Sequence, residues 1–518
     1  MAMSSLTDHC VDATFGNPVL FGADILSLQA DLVTGYSNYI PEGYIFSQPS
    51  VFVRNATFCN VTVSYTHPGY NDKVTVESWL PVEGYNGRLQ AVGGGGWSPG
   101  RGTISYWGMA GAIYYGYATV TTDSGVTELG APDSWALASP GNLNWAGLSN
   151  FGYVSLNDEA VIAKSLVESF YGEAPSYAYW NGCSQGGRQG MALAQQYPNA
   201  YDGILSAAPA INWSPFVMST IWPAFYMNHT GQYPQACELD YITSLAIEAC
   251  DELDGVKDGL IAEPEQCLRH FNATEHVGKK FVCSTNSAEV QLTAGAADVA
   301  TAIWTGPTSL NGEFMWYGFD IGSSLSTIAP TSCTDTGDCF ASGQLSIATW
   351  WRNFVDMDPE SNRTSISWEE FDILFKHLKR AFDSTFETSE RDLSSFRDAG
   401  GKLINFHGLA DQSIPVWNTL SYYREVASYL GGVDDFYQYY RVPGLAHCAG
   451  GAGGQPIALF DQLRLWVENG TAPSHSSVTI KLPDNTTRVE IICPYPSKAV
   501  FGRPCTNLTS TSCWSCEL

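Results

Sequence analysis

The pentapeptide Gly182-Cys183-Ser184-Gln185-Gly186 constrains this chain more than any other stretch. It fits Gly-x-Ser-x-Gly, in which a serine sits on a sharp corner between a strand and a helix. The flanking glycines are required because side chains there would strike neighbouring elements. The context agrees, since residues 176–180 read as a short strand and 187–196 as a helix. A corner of this kind needs a sheet behind it and lifts the serine hydroxyl clear of the backbone.

The rest of the first 210 residues supplies such a sheet. Strands are expected at 74–80, 89–92, 117–122 and 204–207, with a helix at 157–171 spaced through Ala160, Ile162, Leu166 and Phe170. This alternation predicts a mostly parallel sheet with helices on both faces, an α/β-hydrolase fold. It is lost between 211 and 394, where clustered Cys, Asp-Gly turns and aromatic residues predict a loop-rich inserted lid domain. It returns near Gly400 with strands at 402–406 and 436–442 and helices at 417–430 and 457–467. The expected organisation is therefore 1–210 and 395–518 as two parts of one catalytic domain, with 211–394 inserted. The Cys-rich stretch 493–518 is expected to be stapled to the body.

An elbow serine needs a base, and the base an orienting acid, in the chain order Ser, acid, His. Asp411 follows the strand 402–406, and His447 follows the strand 436–442. Ser184, Asp411 and His447 are the expected catalytic triad. His407 precedes Asp411 against the strand end and reads as structural, His475 reads as loop, and the other six histidines precede Asp411. Cys183 directly precedes the serine and Cys448 directly follows the histidine, so a Cys183–Cys448 disulfide would tie nucleophile to base. Cys10–Cys59 is a further expected pair. The run Gly93-Gly94-Gly95-Gly96 ends an early strand, where half of an oxyanion hole belongs. Backbone N–H groups of Gly94, Gly95 and Gln185 are the expected donors.

The surroundings of this chemistry follow from charge and cysteine. Lys plus Arg number 25 against 52 Asp plus Glu, a net charge of −27. No basic surface is available to neutralise phosphates, which argues against nucleic-acid partners. Fourteen Cys accompany sequons at Asn55, Asn60, Asn212, Asn228, Asn272, Asn362, Asn469, Asn485 and Asn507, pointing to an oxidising, secretory route. No apolar run approaches the roughly 20 residues of a membrane helix, and Met1-Ala2-Met3-Ser4 carries no apolar leader. Cys513-Trp514-Ser515-Cys516 reads as disulfide stapling, because no strand-helix unit follows it.

One constellation lies apart from the triad. Asp251, Glu252, Asp254 and Asp258 crowd a Gly-punctuated stretch. They can wrap a hard cation such as calcium, with six to eight oxygens, or simply form a solvated acidic turn. The spacing departs from an EF-hand and no flanking helix pair is expected; closure by Cys250–Cys267 would favour the metal.

Taken together, Cys183-Ser184, Asp411 and His447-Cys448 resemble the Cys-Ser, Asp, His-Cys mark of the fungal tannase and feruloyl esterase family. The resemblance implies a bonded Cys pair and a lid inserted in an α/β-hydrolase domain. It also implies a structural calcium in the lid, held by Asp251, Asp254, Asp258 and the carbonyls of Val256 and Leu260. The implied activity is ester hydrolysis through an acyl-enzyme, releasing ferulic or another hydroxycinnamic acid from plant cell-wall polysaccharides such as xylan. Galloyl ester hydrolysis is the alternative. An esterase-like binding protein without catalysis is the alternative of another class, disfavoured because all three triad residues are present.

Overall fold

Nine strands join into one sheet in the computed structural model, which describes residues 6–126, 131–284, 287–336, 338–342, 347–361, 365–481, 486–502, 505 and 510–518. In chain order the strands are β1 (Asp24–Ile40), β2 (Val51–Thr66), β3 (Val74–Pro81), β4 (Arg88–Val92), β5 (Ala118–Thr122), β6 (Tyr177–Cys183), β7 (Gly203–Ala207), β8 (Lys402–Gly408) and β9 (Tyr437–Val442). Their spatial order is β1-β2-β3-β5-β4-β6-β7-β8-β9. From β5 to β9 every pairing is parallel, and β1, β2 and β3 add on antiparallel. The triad elements lie in the parallel part, as expected. The long β1–β2 hairpin was not expected, although Val61, Val63 and Tyr65 alternate with polar residues and are all buried. β1 is the edge strand and buries only Ile40, so its composition carries little of the pattern that marks a half-buried strand.

Alternate residues of the central strands feed opposite faces. Trp180, Ile204 and Leu403 pack with helices α2 (Ser155–Tyr171), α3 (Gln185–Gln196) and α8 (Val416–Leu430). Their neighbours Tyr179, Leu205 and Ile404 pack with α9 (Leu459–Asn469) on the other face. Helix α1 (Thr103–Tyr114) covers that second face beneath β1–β4. Gly172 ends α2 at φ +83°, a left-handed cap open to glycine without strain.

Four helices of 12 residues or more stand between β7 and β8: α4 (Trp213–Thr230), α5 (Ala236–Cys250), α6 (Ala294–Thr305) and α7 (Trp368–Phe382). The loop-rich expectation for this insertion is corrected accordingly. In α7 the signal was present. Ser367 and Glu370 form a reciprocal capping box, and Phe371, Leu374, Phe375, Leu378 and Phe382 share one buried face. The insertion's aromatic core also takes in Trp97, Trp135 and Phe151 from before β6, so the insertion is seated on the first part of the chain.

The fourteen cysteines form seven disulfides. Cys10–Cys59, Cys183–Cys448 and Cys250–Cys267 stand as expected, joined by Cys237–Cys283, Cys333–Cys339, Cys493–Cys516 and Cys505–Cys513. Cys513 and Cys516 thus bond elsewhere rather than to each other.

Candidate active site

Ser184 occupies the corner between β6 and α3 at φ +61°, ψ −119°. A non-glycine residue held there carries backbone strain of roughly 1–3 kcal/mol. Hydrogen bonds fix the corner: Ser184 N–H donates to the Ala207 carbonyl at 3.0 Å, and Ala210 N–H to the Ser184 carbonyl at 3.1 Å. A β-carbon on Gly182 would come within 2.5 Å of the Gly186 backbone, so this approach admits no side chain.

Asp411 lies in the turn after β8 and is fully buried. Its Oδ1 accepts from the Ser413 and Ile414 amides at 2.7 and 2.8 Å. Its Oδ2 lies 2.8 Å from His447 Nδ1 and 3.0 Å from His407 Nε2. Burial alone would push this carboxyl up; the His447 ring and the hydrogen bonds from both rings overcome it and hold the carboxyl well below its usual range. A carboxylate can only accept, so His447 carries its proton on Nδ1 and presents a bare Nε2.

His447 is positioned by its backbone and by its neighbour. Its N–H donates to Gln412 Oε1 at 3.2 Å, and its Nε2 is 3.7 Å from Cys448 Sγ. The Cys183–Cys448 bridge, with α-carbons 5.9 Å apart, joins the residue before Ser184 to the residue after His447. Ser184 and His447 line one cavity of about 330 Å³. Its walls are mostly apolar, with Trp97, Trp213, Phe216, Phe319, Ile328 and Trp350 prominent. Thr220, Thr327, Gln412 and Ser413 supply the polar edge.

Two expected oxyanion donors are corrected. Gly94 N–H is taken by Gln189 Oε1 at 3.1 Å, and Gly95 N–H by the Ser98 carbonyl at 2.9 Å. Neither residue lines the cavity, whereas Gly96, Trp97 and Gln185 do. The glycine run turns back on itself at Gly95–Ser98, so the chain meets the cavity one or two residues later than position alone predicts. Arg188, one turn into α3, had no signal in the sequence. Its guanidinium is fully buried, donating to Gln185 Oε1 and to the carbonyls of Phe151 and Gly152, and burial pushes it down to about 9. It ties Gln185 to the Phe151–Gly152 segment, against which the insertion packs.

The acidic stretch 251–261 lies in the insertion, and its end, Gly259 to Ile261, lines a cavity with Leu409, Ala410 and Gln412. The expectation that no helices flank it is corrected, because α5 runs directly into it and Pro264–His270 follows as a helix. Asp251 Oδ1 accepts from the Asp258 and Gly259 amides, Asp254 Oδ1 from Val256 and Asp258 Oδ1 from Leu260. Burial, and then Glu490, push Asp258 up to about 8, while Arg488 approaches its Oδ2 at 3.2 Å. Among the described residues, no three His, Cys, Asp or Glu side chains gather as a metal-holding group. Of the sequons, Asn55, Asn228, Asn272 and Asn469 are exposed and Asn60 and Asn212 half-buried. Asn362, Asn485 and Asn507 lie outside the described residues.

The doubly covered sheet with a nucleophile corner between β6 and α3 defines an α/β-hydrolase fold. The family described as "Tannase and feruloyl esterase" matches residues 59–515, and the chain belongs to it. It is a carboxylic ester hydrolase, the reaction class common to both named activities. A probable feruloyl esterase of Arthroderma benhamiae is 36% identical over 493 residues, spanning 93% of this chain and 89% of its own. The tannase of Aspergillus oryzae is 29% identical, spanning 86% and 83%. Among solved structures, tannin acyl hydrolase from Aspergillus niger superposes with a TM-score of 0.89 at 27% identity, covering 100% of this chain and 96% of the other. Feruloyl esterase B from Aspergillus oryzae gives 0.79 at 25% identity, covering 99% and 100%. Among the described residues, no helix is long and apolar enough to cross a membrane.

Proposed function

We propose that this chain is a secreted serine esterase that releases feruloyl or related hydroxycinnamoyl groups from plant cell-wall polysaccharide esters, through an acyl-enzyme. Ser184 Oγ attacks the ester carbonyl while His447 Nε2 takes its proton, and Asp411 holds the imidazole in the required tautomer. The Gln185 N–H, with an N–H of Gly96 or Trp97, stabilises the developing oxyanion. His447 then protonates the leaving alcohol, and water, activated by the same nitrogen, releases the acid.

The observation that carries the acyl preference is the cavity beside Ser184. Its aromatic and aliphatic walls suit a ring with few hydroxyls. A galloyl ring has three hydroxyls, each needing a partner once desolvated, and the polar edge is short. Tannase activity is the second reading, favoured by the relatives of that name. Relative kcat/KM on methyl ferulate and methyl gallate decides between them. Ferulate is expected to be preferred, and a hundredfold preference for gallate would reverse the order.

Secretion is supported by the seven disulfides, which persist in oxidising compartments. A structural calcium in the lid is part of the same proposal. The donors in stretch 251–261 are oxygens, the ligand type calcium takes. Crowding of Asp258 with Glu490 raises both carboxyls, and a divalent cation would take the place of the proton they retain, with Arg488 as its competitor. Asp251, Asp254 and Asp258, with the carbonyls of Val256 and Leu260, would hold it. Its contribution would be to stabilise the lid, with no part in the reaction.

A further inference from the structure

His407 has no place in a three-residue mechanism, yet its imidazole is completely buried beside the triad acid. It projects from β8, four residues before Asp411. Its Nε2 lies 3.0 Å from Asp411 Oδ2, the same oxygen that binds His447, and 3.2 Å from the Ile414 carbonyl. Both neighbours accept hydrogen bonds, so Nε2 must carry the proton. In the neutral ring, Nδ1 then accepts, and Thr419 Oγ1 stands 2.8 Å away at the start of α8. The result is an ordered line: Thr419 hydroxyl to His407, His407 to Asp411, and Asp411 facing the Nδ1–H of His447. Asp411 Oδ1 is already occupied by two amides. Oδ2 is therefore the oxygen whose electron density is divided between the two rings.

We propose that His407, with its tautomer set by Thr419, is a positioning residue that tunes how strongly Asp411 holds the proton-loaded form of His447. The proposal rests on Asp411 and His447 being the triad acid and base. The hydrogen bond from His407 draws on Oδ2 and weakens its pull on the His447 Nδ1–H. It also fixes the carboxylate plane. Removing it leaves Asp411 a stronger acceptor, so His447 retains its second proton to higher pH and serves less well as a base at neutral pH.

Other ionisable groups face the same carboxylate. Asp320, in the insertion, feels its charge, and burial, opposed by Arg441, pushes Asp320 up to about 7. Arg441 stands opposite His407 in the β8–β9 ladder and pairs with Glu265. Burial pushes Asp320 towards the window of interest, so each measurement is repeated in an Asp320→Asn background.

The test is the pH profile of kcat/KM on p-nitrophenyl acetate for His407→Phe, His407→Gln and Thr419→Val, with thermal unfolding measured in parallel. For His407→Phe the acid limb is expected to move up by roughly half a pH unit or more. Its kcat is expected to fall roughly tenfold through lost orientation, with KM within about twofold of wild type. His407→Gln keeps a donor and should recover most of both effects. Thr419→Val removes the tautomer-setting hydroxyl at nearly constant volume and should move the limb the same way by less. It also keeps the test decisive if His407→Phe does not fold. A lowered melting temperature with an unmoved acid limb, in both Thr419→Val and whichever His407 variant folds, would overturn the proposal. If His447→Ala keeps wild-type activity, the triad reading fails instead, and the two failures are distinct.

Discussion

Removing the Cys183–Cys448 bridge separates two effects that the fold has superimposed. The bridge closes a loop of 265 residues. The chain-entropy relation assigns such a loop about 5.6 kcal/mol of stabilisation, through constraint of the unfolded chain. The bridges Cys237–Cys283 and Cys333–Cys339 lie inside that loop and shorten it by 46 and 6 residues. The cost grows only as the logarithm of length, so they change the figure by roughly 0.2 kcal/mol. The local effect is different. Other bonds hold the His447 loop: Ala446 N–H to the Gly450 carbonyl, Gly453 N–H to Gly444, Ala410 N–H to Leu445 and His447 N–H to Gln412. The loop therefore keeps its shape without the bridge, but loses its covalent register with the Ser184 corner. A misplacement of about 1 Å costs roughly a hundredfold in rate. Cys183→Ala combined with Cys448→Ala is thus expected to retain the far-UV circular dichroism, lower the urea midpoint and reduce kcat/KM on p-nitrophenyl acetate by roughly 10- to 100-fold. Unchanged turnover would show that the bridge is only a staple. A stability loss below about 1 kcal/mol would refute the entropic argument.

Three other outcomes follow from single features. Ser184→Gly should abolish esterase activity yet raise stability by roughly 1 kcal/mol, because glycine adopts φ +61° without strain; an equal or lower unfolding midpoint would contradict the strained corner. In chelator, stability should rise as pH falls from about 8 to about 4–5. The fold keeps protons on Asp258, Asp320 and Glu387, raised to about 8, 7 and 7, that the unfolded chain has released by pH 5. Below about pH 4 stability should be lost again as the lowered carboxyls of Asp72, Asp411 and Glu468 protonate, and a melting temperature that climbs from pH 5 to 8 would count against this assignment. Calcium at a hundred times its dissociation constant should add about 2.7 kcal/mol over chelator, and identical melting curves would remove the metal from the lid.

The candidate catalytic residues were legible wherever local spacing encodes them. The corner at Ser184 needs glycines at fixed offsets, and strand ends mark Asp411 and His447, so short-range rules suffice. The Cys neighbours of Ser184 and His447 revealed a long-range contact because chemistry brings their partners together. Interior strands followed from short apolar runs, the mark of burial on both faces, and helices from hydrophobic period. The edge strand β1 did not, since it buries too little to leave a clear pattern, although its partner β2 alternates at Val61, Val63 and Tyr65. Among the helices of the insertion only α7 carries a strong local signal; α4 and α7 pack on Trp97, Trp135 and Phe151, and α5 and α6 in a separate core, contacts that the intervening turns and cysteines do not announce.

The sequence by itself therefore nominated Ser184, Asp411 and His447 in their order and determined the class of sheet that presents them. Only the tertiary structure decided which backbone groups remain available to a substrate. Gly94 and Gly95 lose their N–H groups to Gln189 and Ser98, and His407 is placed on the same carboxylate oxygen as His447. Hydrogen-bond partners depend on three-dimensional approach within about 3 Å, a distance that no spacing along the chain encodes.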